Sequence, residues 1–305
     1  MLYSMYDLVV MGDITVDLYY KGRDLTHDKE RFHLAYGGKY YAEEFHQTLG
    51  GSGANIAING SMLGLNSAVV SKVGETGLKN MIIQYLVKKN VSTEFLIFDR
   101  IYTSISTILL GEDGERTIIK YNDEKISYPL SPTALERVKK SSIIFMGNLH
   151  DIPMKERIDT LIKIDMPENL IALNLSAQDC ERGVAKMESL LEHANILFLN
   201  RYEFAALVNI APDKLNLEKN QFDALGVKMD ILVVTDSSHG SFAYTSERTY
   251  VCPAAKLKII VDATGAGDAF TSGFLAQYKR TQNIQSALEA GSENSARVLK
   301  KIGGH

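Results

Sequence analysis

The feature of this sequence that most constrains its fold is a series of six short apolar runs separated by helical patterns. The runs are rich in β-branched residues, are bounded by turn or polar residues, and cover 8–13, 69–73, 142–147, 170–175, 195–199 and 230–234. Runs of this length and composition are typical of buried strands. The helical patterns cover 54–63, 78–89, 181–191 and 269–278. Alternation of strand and helix predicts an α/β fold with a parallel sheet covered by helices on both faces.

Two stretches, 14–48 and 94–122, depart from this rhythm because apolar and polar residues alternate within them. The clearest example is Ser104–Leu110, which is followed by a turn predicted at Gly111–Gly114. We expect the two stretches to form a small, partly antiparallel sheet that acts as a lid on a single domain spanning 1–305. Three tyrosines of the first stretch are expected either to pack within or between lids, or to stack on a ligand: Tyr36, Tyr40 and Tyr41.

The composition excludes several classes of protein. The 305 residues are 45% apolar and 23% charged with a net charge of −4, which is typical of a globular protein and lacks the basic stripe that nucleic acid requires. Cys180 and Cys252 lie in no metal-binding pattern and are expected to be buried thiols. The seven histidines form no ligand cluster and are expected to be structural or surface residues. With no secretory leader and no apolar stretch of about 18 residues, we expect a cytoplasmic protein without a membrane partner.

The run 259–270, IIVDATGAGDAF, is predicted to pass from a strand through a glycine-rich turn into a helix. Gly265 and Gly267 allow a ligand to approach the backbone closely, and the first N–H groups of the helix form an anion site. Asp268 lies at the helix start, where the helix dipole favours its ionised form and where it can accept a hydroxyl proton beside a phosphate. The alternative is an aspartate that only caps the helix.

Two better-known phosphate-binding loops do not fit this sequence. The dinucleotide-binding pattern needs a third glycine where the chain has Phe270. The P-loop needs Gly-Lys followed by Ser or Thr, whereas Gly38-Lys39 is followed by Tyr40. A dehydrogenase built on the same kind of sheet is therefore disfavoured.

The segment Asp262-Ala-Thr-Gly-Ala-Gly-Asp268 resembles the C-terminal signature of the ribokinase-like carbohydrate kinases, the PfkB family. Gly50-Gly51-Ser-Gly-Ala-Asn55 resembles the N-terminal signature of the same family, and the resemblance extends over essentially the whole chain. It implies a ribokinase-like three-layer α/β/α sandwich with a central mostly parallel sheet plus a small β-sheet lid. It also implies an enzyme that transfers the γ-phosphate of ATP, bound with Mg²⁺, to an alcohol.

The resemblance implies roles at the acceptor end of the site. Asp268 corresponds to the base that deprotonates the acceptor hydroxyl. The anion hole for the phosphoryl group corresponds to the N–H groups of Gly265, Ala266, Gly267 and Asp268. Asp17 corresponds to an aspartate that binds substrate hydroxyls, with Gly51 and Asn55 completing the pocket. Without the resemblance, Asp17 is equally well explained as an exposed aspartate of a turn or edge strand.

The resemblance also implies a nucleotide site. Asn200-Arg-Tyr-Glu203 resembles the family's Asn-x-x-Glu motif, in which the glutamate organises Mg²⁺ through water, although the same pattern is a common helix cap. Asn174 corresponds to an asparagine that faces the nucleotide phosphates. Thr235 and Gly240 resemble the first and last residues of the family's Thr-x-Gly-x-x-Gly turn.

Two features put parts of this resemblance in question. Ser237 replaces the middle glycine of the Thr-x-Gly-x-x-Gly turn, so the backbone conformation there is not fixed by the comparison. Asp262 and Thr264 match positions that help to hold a monovalent cation, usually K⁺, in some members. Because the chain stops at His305, shortly after Gly303-Gly304, the remaining ligands of that cation are expected to be incomplete.

The sequence does not identify the acceptor. The leading hypothesis is a sugar kinase acting on a primary hydroxyl, and the alternative is an adenosine-type nucleoside kinase, because Gly147-Asn148 and the tyrosine-rich lid suit a base as well as a sugar. A sugar or nucleotide sensor without turnover is the hypothesis of a different class, prompted by Ser237. The expected partner is the small-molecule substrate. Whether a second copy of the chain also pairs with it through the lid is left open by the sequence.

Overall fold

The protein is described here by a computed structural model that covers residues 5–25, 31–111, 116–123, 127–147, 149 and 151–305. Its strands are β1 (Leu8–Met11), β2 (Thr15–Lys21), β3 (Glu44–Gly50), β4 (Ser67–Gly74), β5 (Val91–Ser92), β6 (Leu96–Asp99), β7 (Ser104–Leu110), β8 (Arg116–Asn122), β9 (Ile143–Gly147), β10 (Leu170–Asn174), β11 (Ile196–Asn200), β12 (Ile231–Thr235), β13 (Ser241–Tyr244) and β14 (Thr249–Cys252). Its α-helices are α1 (Ser52–Met62), α2 (Lys79–Lys88), α3 (Pro132–Val138), α4 (Met154–Ile164), α5 (Ala177–Cys180), α6 (Val184–Leu191), α7 (Arg201–Leu207), α8 (Ala266–Thr281) and α9 (Ile284–Val298).

The large sheet contains all six of the predicted buried strands. Its order is β14-β13-β12-β11-β10-β9-β1-β4, with β5 and β6 both paired to β4. Every pairing from β12 to β6 is parallel, and β13 and β14 continue the sheet in antiparallel fashion. The carboxyl ends of β9, β10, β11 and β12 therefore lie along one edge, where ligands bind in open α/β sheets.

Helices cover both faces of this sheet, which gives the three-layer sandwich that was predicted. Alternate side chains of β1 point to opposite faces, as the pleat requires. Val9 and Met11 join the core formed with α3, α4, α6 and α7, whereas Leu8 and Val10 join the core formed with α1, α2, α8 and α9. The two cysteines are free and buried, as expected. No helix within the described ranges is long and apolar enough to cross a membrane.

The second sheet has four strands in the order β3-β2-β7-β8. The β2-β7 pair is parallel and the two outer pairs are antiparallel, as predicted for a partly antiparallel sheet. The predicted extent 94–122 is wrong at its start, because β6 pairs with Ser71–Gly74 of the large sheet. Of the turn predicted at Gly111–Gly114, positions 112–114 lie outside the described residues.

The strand predicted at the start of 259–270 is also absent from the described structure. Ile259 and Ile260 are 73% and 50% exposed, and neither pairs with a strand. The sheet already ends at β14, and the N–H of Val261 donates instead to the carbonyl of Leu299, just beyond α9, at 2.8 Å. The run is therefore held against the segment after α9 and does not extend the sheet.

A buried ion pair joins α4 to α5 beneath the carboxyl edge of the sheet. Arg157 and Asp179 are 4% and 0% exposed, and the guanidinium donates two hydrogen bonds to the carboxylate, at 2.7 and 2.9 Å. We expect Arg157→Met to lower the free energy of unfolding by about 3–5 kcal/mol, because it leaves a buried carboxylate without its main partner. Urea unfolding followed by circular dichroism measures this loss.

The matched controls are a double variant and a surface variant. Arg157→Met combined with Asp179→Leu removes both charges and is expected to recover most of the stability. Lys155→Met breaks the exposed pair with Asp159 on the same helix and should change stability by less than about 1 kcal/mol. A single Arg157→Met loss no larger than that of Lys155→Met would contradict the prediction.

Candidate active site

A cleft of about 240 Å³ lies at the carboxyl edge of the large sheet, against the start of α8. Strand register brings polar side chains to this edge, since Asn174 pairs beside Gly147 and Asn200 beside Thr235. The walls of the cleft include eight of the residues that the sequence singled out, namely Asn174, Asn200, Glu203, Thr235, Gly265, Ala266, Gly267 and Asp268. The fold thus collects residues from four separate segments of the chain at one place.

The loop that ends at α8 leaves its N–H groups directed away from the helix body. Gly265 has φ 71°, a left-handed conformation that favours glycine. The first strong hydrogen bond of the helix runs from the N–H of Ala269 to the carbonyl of Gly265, at 2.8 Å. The N–H groups of Gly267 and Asp268 precede that bond, so they are available to an anion, which the helix dipole also favours.

The Asp268 carboxylate lies at this helix start, half-buried in the wall of the cleft. Burial raises its pKa to about 6, the amide of Asn55 opposes that rise, and the negative charge of Asp13 adds to it. The nitrogen Nδ2 of Asn55 donates to Oδ2 of Asp268 at 2.8 Å. A carboxylate with this pKa is ionised at neutral pH and is still basic enough to accept a proton from a hydroxyl.

Asn200 and Glu203 form a complete capping box at the start of α7. The Asn200 side chain accepts from the N–H groups of Tyr202 and Glu203, each at 2.9 Å, and Oε2 of Glu203 accepts from the N–H of Asn200 at 2.8 Å. Burial raises the pKa of Glu203, and the charge of Asp268 raises it further. The cap therefore holds one carboxylate near another, and this donor set fits a divalent cation that relieves their repulsion.

Asp17 lies on β2 under the paired glycines that begin α1. Burial raises the pKa of Asp17 to about 6, and its Oδ1 has no hydrogen-bond partner within the described part of the chain. A Cβ atom on Gly50 would lie 1.9 Å from Oδ2 of Asp17. Gly51 has φ 85°, and a Cβ there would lie 2.5 Å from the carbonyl oxygen of Asp13. The Gly-Gly pair is thus required by the two aspartates beneath it, and the exposed-turn interpretation of Asp17 is wrong.

The turn after β12 contains both the matching residues and the departure from the family pattern. Ser237 has φ 48°, so the serine itself adopts the left-handed conformation that the replaced glycine would favour. Gly240 has φ 107°, and a Cβ there would lie 2.3 Å from the carbonyl oxygen of Cys252. Thr235 lines the cleft, whereas Gly240 lies outside its wall and shapes the turn.

Asp262 and Thr264 do not fit a K⁺ ion held by the Asp262 carboxylate. Asp262 is fully buried, and its Oδ1 accepts from the N–H and the hydroxyl of Thr264 at 2.9 and 2.7 Å. Its Oδ2 accepts from the N–H of Gly303 at 3.0 Å, and Nε of Arg116 lies 3.8 Å from Oδ1. Protein donors and a guanidinium already occupy the positions from which a cation would be ligated.

The tyrosines of the first lid stretch do not line this cleft. Tyr36 and Tyr41 are 109% and 68% exposed, and Tyr40 accepts a hydrogen bond from the N–H of Ala35 through its hydroxyl. These positions do not decide whether the tyrosines pack within or between lids or stack on a ligand. Asn148, which was considered for base recognition, lies outside the described residues.

Sequence reasoning missed three residues behind Asn55. Thr48, Tyr85 and His305 form a hydrogen-bonded group there, although every histidine was expected to be structural or on the surface. His305 is 6% exposed. The one available signal was the pair Gly303-Gly304 directly before His305, because adjacent glycines mark a close backbone approach.

The fold and the cleft together define a phosphotransferase of the three-layer α/β type, with a carboxylate beside an anion-binding helix start. The model of the pfkB family carbohydrate kinases matches residues 5–305, and the chain belongs to that family. The family resemblance, the fold class and the expected phosphotransferase activity on an alcohol are thereby confirmed.

Proteins with similar sequences are named as kinases of different phosphoryl acceptors. The chain is 25% identical to an ATP-dependent 6-phosphofructokinase of Thermoanaerobacterium thermosaccharolyticum, over 98% of this chain and 89% of that protein. It is 24% identical to a nucleoside kinase of Methanocaldococcus jannaschii, over 98% and 92%. Among solved structures, a probable sugar kinase of Rhizobium etli CFN 42 has a TM-score of 0.79 at 22% identity, over 99% of this chain and 95% of that one. This last likeness supports the fold alone.

The surroundings of Asp262 predict that the protein needs no monovalent cation. We expect turnover to stay unchanged when K⁺ is replaced by tetramethylammonium at constant ionic strength, because the carboxylate is already neutralised by protein groups. The melting temperature should likewise show no specific rise with K⁺, since an ion that does not bind the folded state does not stabilise it. Activation by K⁺ over tetramethylammonium, together with a K⁺-specific rise in melting temperature, would contradict the prediction.

Proposed function

We propose that the protein is an ATP-dependent kinase that phosphorylates a hydroxyl, most simply a primary one, of a sugar. The observation that carries the proposal is the position of Asp268, whose carboxylate lies beside the first N–H groups of α8 in the wall of the cleft. Phosphoryl transfer needs positioning and charge stabilisation more than covalent chemistry, and this arrangement supplies both.

In this proposal Asp268 is the base that accepts the acceptor hydroxyl's proton. The N–H groups of Gly265, Ala266, Gly267 and Asp268 form the anion hole in which the transferred phosphoryl group is stabilised. Two observations support these roles, namely the pKa of Asp268 at about 6 and the N–H groups that precede the first strong hydrogen bond of α8. The base and the hole adjoin because both belong to one helix start.

ATP is proposed to lie along the carboxyl edge of the sheet. Asn174 and Asn200 would face its phosphates, Thr235 and the turn closed by Gly240 would border the base and ribose, and Glu203 would hold Mg²⁺ through water. The ion would neutralise phosphate charge, and the capping box fixes the glutamate that would hold it.

The acceptor is proposed to lie next to Asp268, with Asp17, Gly51 and Asn55 around it. Oδ1 of buried Asp17 has no hydrogen-bond partner within the described residues, and a hydroxyl group of a sugar ring could donate a hydrogen bond to it. The four-stranded sheet would close over this pocket as a lid of the single kinase domain. A nucleoside remains the second candidate acceptor, since its ribose offers the same hydroxyls and one relative is named a nucleoside kinase.

Pairing of two copies through the lid stays a prediction. It is supported by large apolar side chains exposed on β3 and β8, namely Phe45, Ile118, Ile119 and Tyr121. Such a surface on an outer strand is commonly covered by a partner. The cytoplasmic location expected from the sequence also stays a prediction.

The test is MgATP turnover across a panel of sugars and nucleosides, with fructose, ribose and adenosine included, for the natural protein and for Asp268→Asn. We expect one acceptor class to be phosphorylated and the variant to lose about 10²–10⁴-fold in kcat, because the amide cannot accept the proton. Calorimetric titration should show that the variant still binds ATP.

The matched control is Asp213→Asn, at an exposed aspartate that does not line the cleft, which should leave turnover unchanged. If Asp268→Asn keeps its turnover, Asp268 is not the base. Phosphorylation of the nucleoside alone would replace the sugar by the second candidate, and ATP binding without turnover on any member of the panel would favour the sensor.

A further inference from the structure

A chain of four polar side chains extends from the proposed base to the four-stranded sheet. The 2.8 Å hydrogen bond between Asn55 and Asp268 is followed by His305 Nδ1 at 3.4 Å from Oδ1 of Asn55. The hydroxyl of Tyr85 lies 2.9 Å from Nε2 of His305, and the hydroxyl of Thr48 lies 2.9 Å from that of Tyr85. The proposed roles at the cleft use only the first of these contacts.

The acceptor nature of the carboxylate sets the direction of the hydrogen bonds from Asp268 to His305. Ionised Asp268 can only accept, so the Asn55 nitrogen faces it and the Asn55 oxygen faces His305. Nδ1 of His305 must then carry a proton and donate. Nε2 is left as the acceptor, and the hydroxyl of Tyr85 at 2.9 Å is placed to donate to it, with the hydroxyl of Thr48 farther away at 3.4 Å.

The two glycines before His305 bring its ring to this position. A Cβ atom on Gly304 would lie 2.6 Å from both polar atoms of the Asn55 side chain, and the carbonyl of Gly304 accepts from Nδ2 of Asn59 at 2.8 Å. The ring of His305 also contacts the edge of Tyr85, with centroids 5.5 Å apart. The backbone approach and the ring contact leave the imidazole little freedom to turn.

The charges around the imidazole favour its neutral form. Burial lowers the pKa of His305 to about 3, and the cations that contribute are Lys89 beyond α2, Arg297 on α9 and Lys301 after it. A neutral ring has one donor and one acceptor nitrogen, which is the combination that Asn55 and Tyr85 require.

We propose that His305 is a positioning residue, whose neutral imidazole in the Nδ1–H form holds the Asn55 amide so that its nitrogen stays on Asp268. The inference rests on the proposed role of Asp268 as base. Without His305, the Asn55 amide can rotate and present its oxygen to the carboxylate, and the carboxylate loses the donor that orients it. Because Asn55 also borders the proposed acceptor pocket, its rotation is expected to affect the chemical step and acceptor binding, whereas the ATP side of the cleft, which Asn55 does not line, is left in place.

The experiment compares His305→Phe with His305→Asn. Phe keeps the ring contact with Tyr85 but has no donor, and we expect kcat to fall about 10-fold while the KM for ATP stays near that of the natural protein. Asn places an amide donor close to the position of Nδ1 and is expected to restore most of that loss. The control His193→Phe removes a hydrogen-bonded histidine remote from the cleft and should leave kcat unchanged.

A second measurement does not need activity. Long-range ¹H–¹⁵N correlation spectra of the natural protein, with the His305 signals assigned by their loss in His305→Asn, are expected to show a protonated Nδ1, a bare Nε2 and no titration near neutral pH. An imidazole protonated on Nε2 would overturn the proposal even if His305→Phe fails to fold. So would a folded His305→Phe with normal kcat.

The outcome for Asp268 separates the two proposals. If Asp268→Asn is inactive and His305→Phe has normal kcat, only the positioning role fails. If Asp268→Asn retains turnover, the proposed base fails and the role of His305 fails with it.

Discussion

The hydrogen bond from Asn55 to Asp268 is the contact on which the proposed chemistry depends, because it joins two helices from distant parts of the chain. Asn55 lies on α1, which follows strand β3 of the small sheet, and Asp268 lies on α8, which follows the last strand of the large sheet. The amide favours the ionised carboxylate while burial opposes it, and the balance raises the pKa to about 6. Burial of the carboxylate and the hydrogen bond from Asn55 thus give Asp268 a pKa that suits a base at neutral pH.

The two sheets contribute to this site in different ways. The parallel sheet lines up the ends of its strands, so that polar residues such as Asn174 and Asn200 meet without being close in sequence. The four-stranded sheet supplies groups that balance buried charge, as Arg116 does beside Asp262. Its strand β3 ends at Gly50, and because Gly50 and Gly51 lack side chains, Asp17 and Asp13 fit beneath them.

Most of the fold and half of the site were predictable because local patterns determine them. Buried strands of a parallel sheet have a distinctive composition, and a glycine-rich turn directly before a helix is typical of an anion site. The prediction failed for 259–261, where the composition is that of a strand but the backbone bonds to the segment after α9 instead of to a strand. The contact of His305 with Asn55 was not predicted, because the two residues lie 250 positions apart and only the folded chain brings them together.

The central claim, that a half-buried Asp268 is the base, is tested most directly by the pH dependence of kcat/KM, which reports the groups of the enzyme before its substrates bind. Because only the ionised carboxylate accepts a proton, kcat/KM should be constant near neutral pH and fall by about tenfold per pH unit below the pKa of about 6. A kcat/KM that stays constant well below pH 6 in a folded protein would contradict the account.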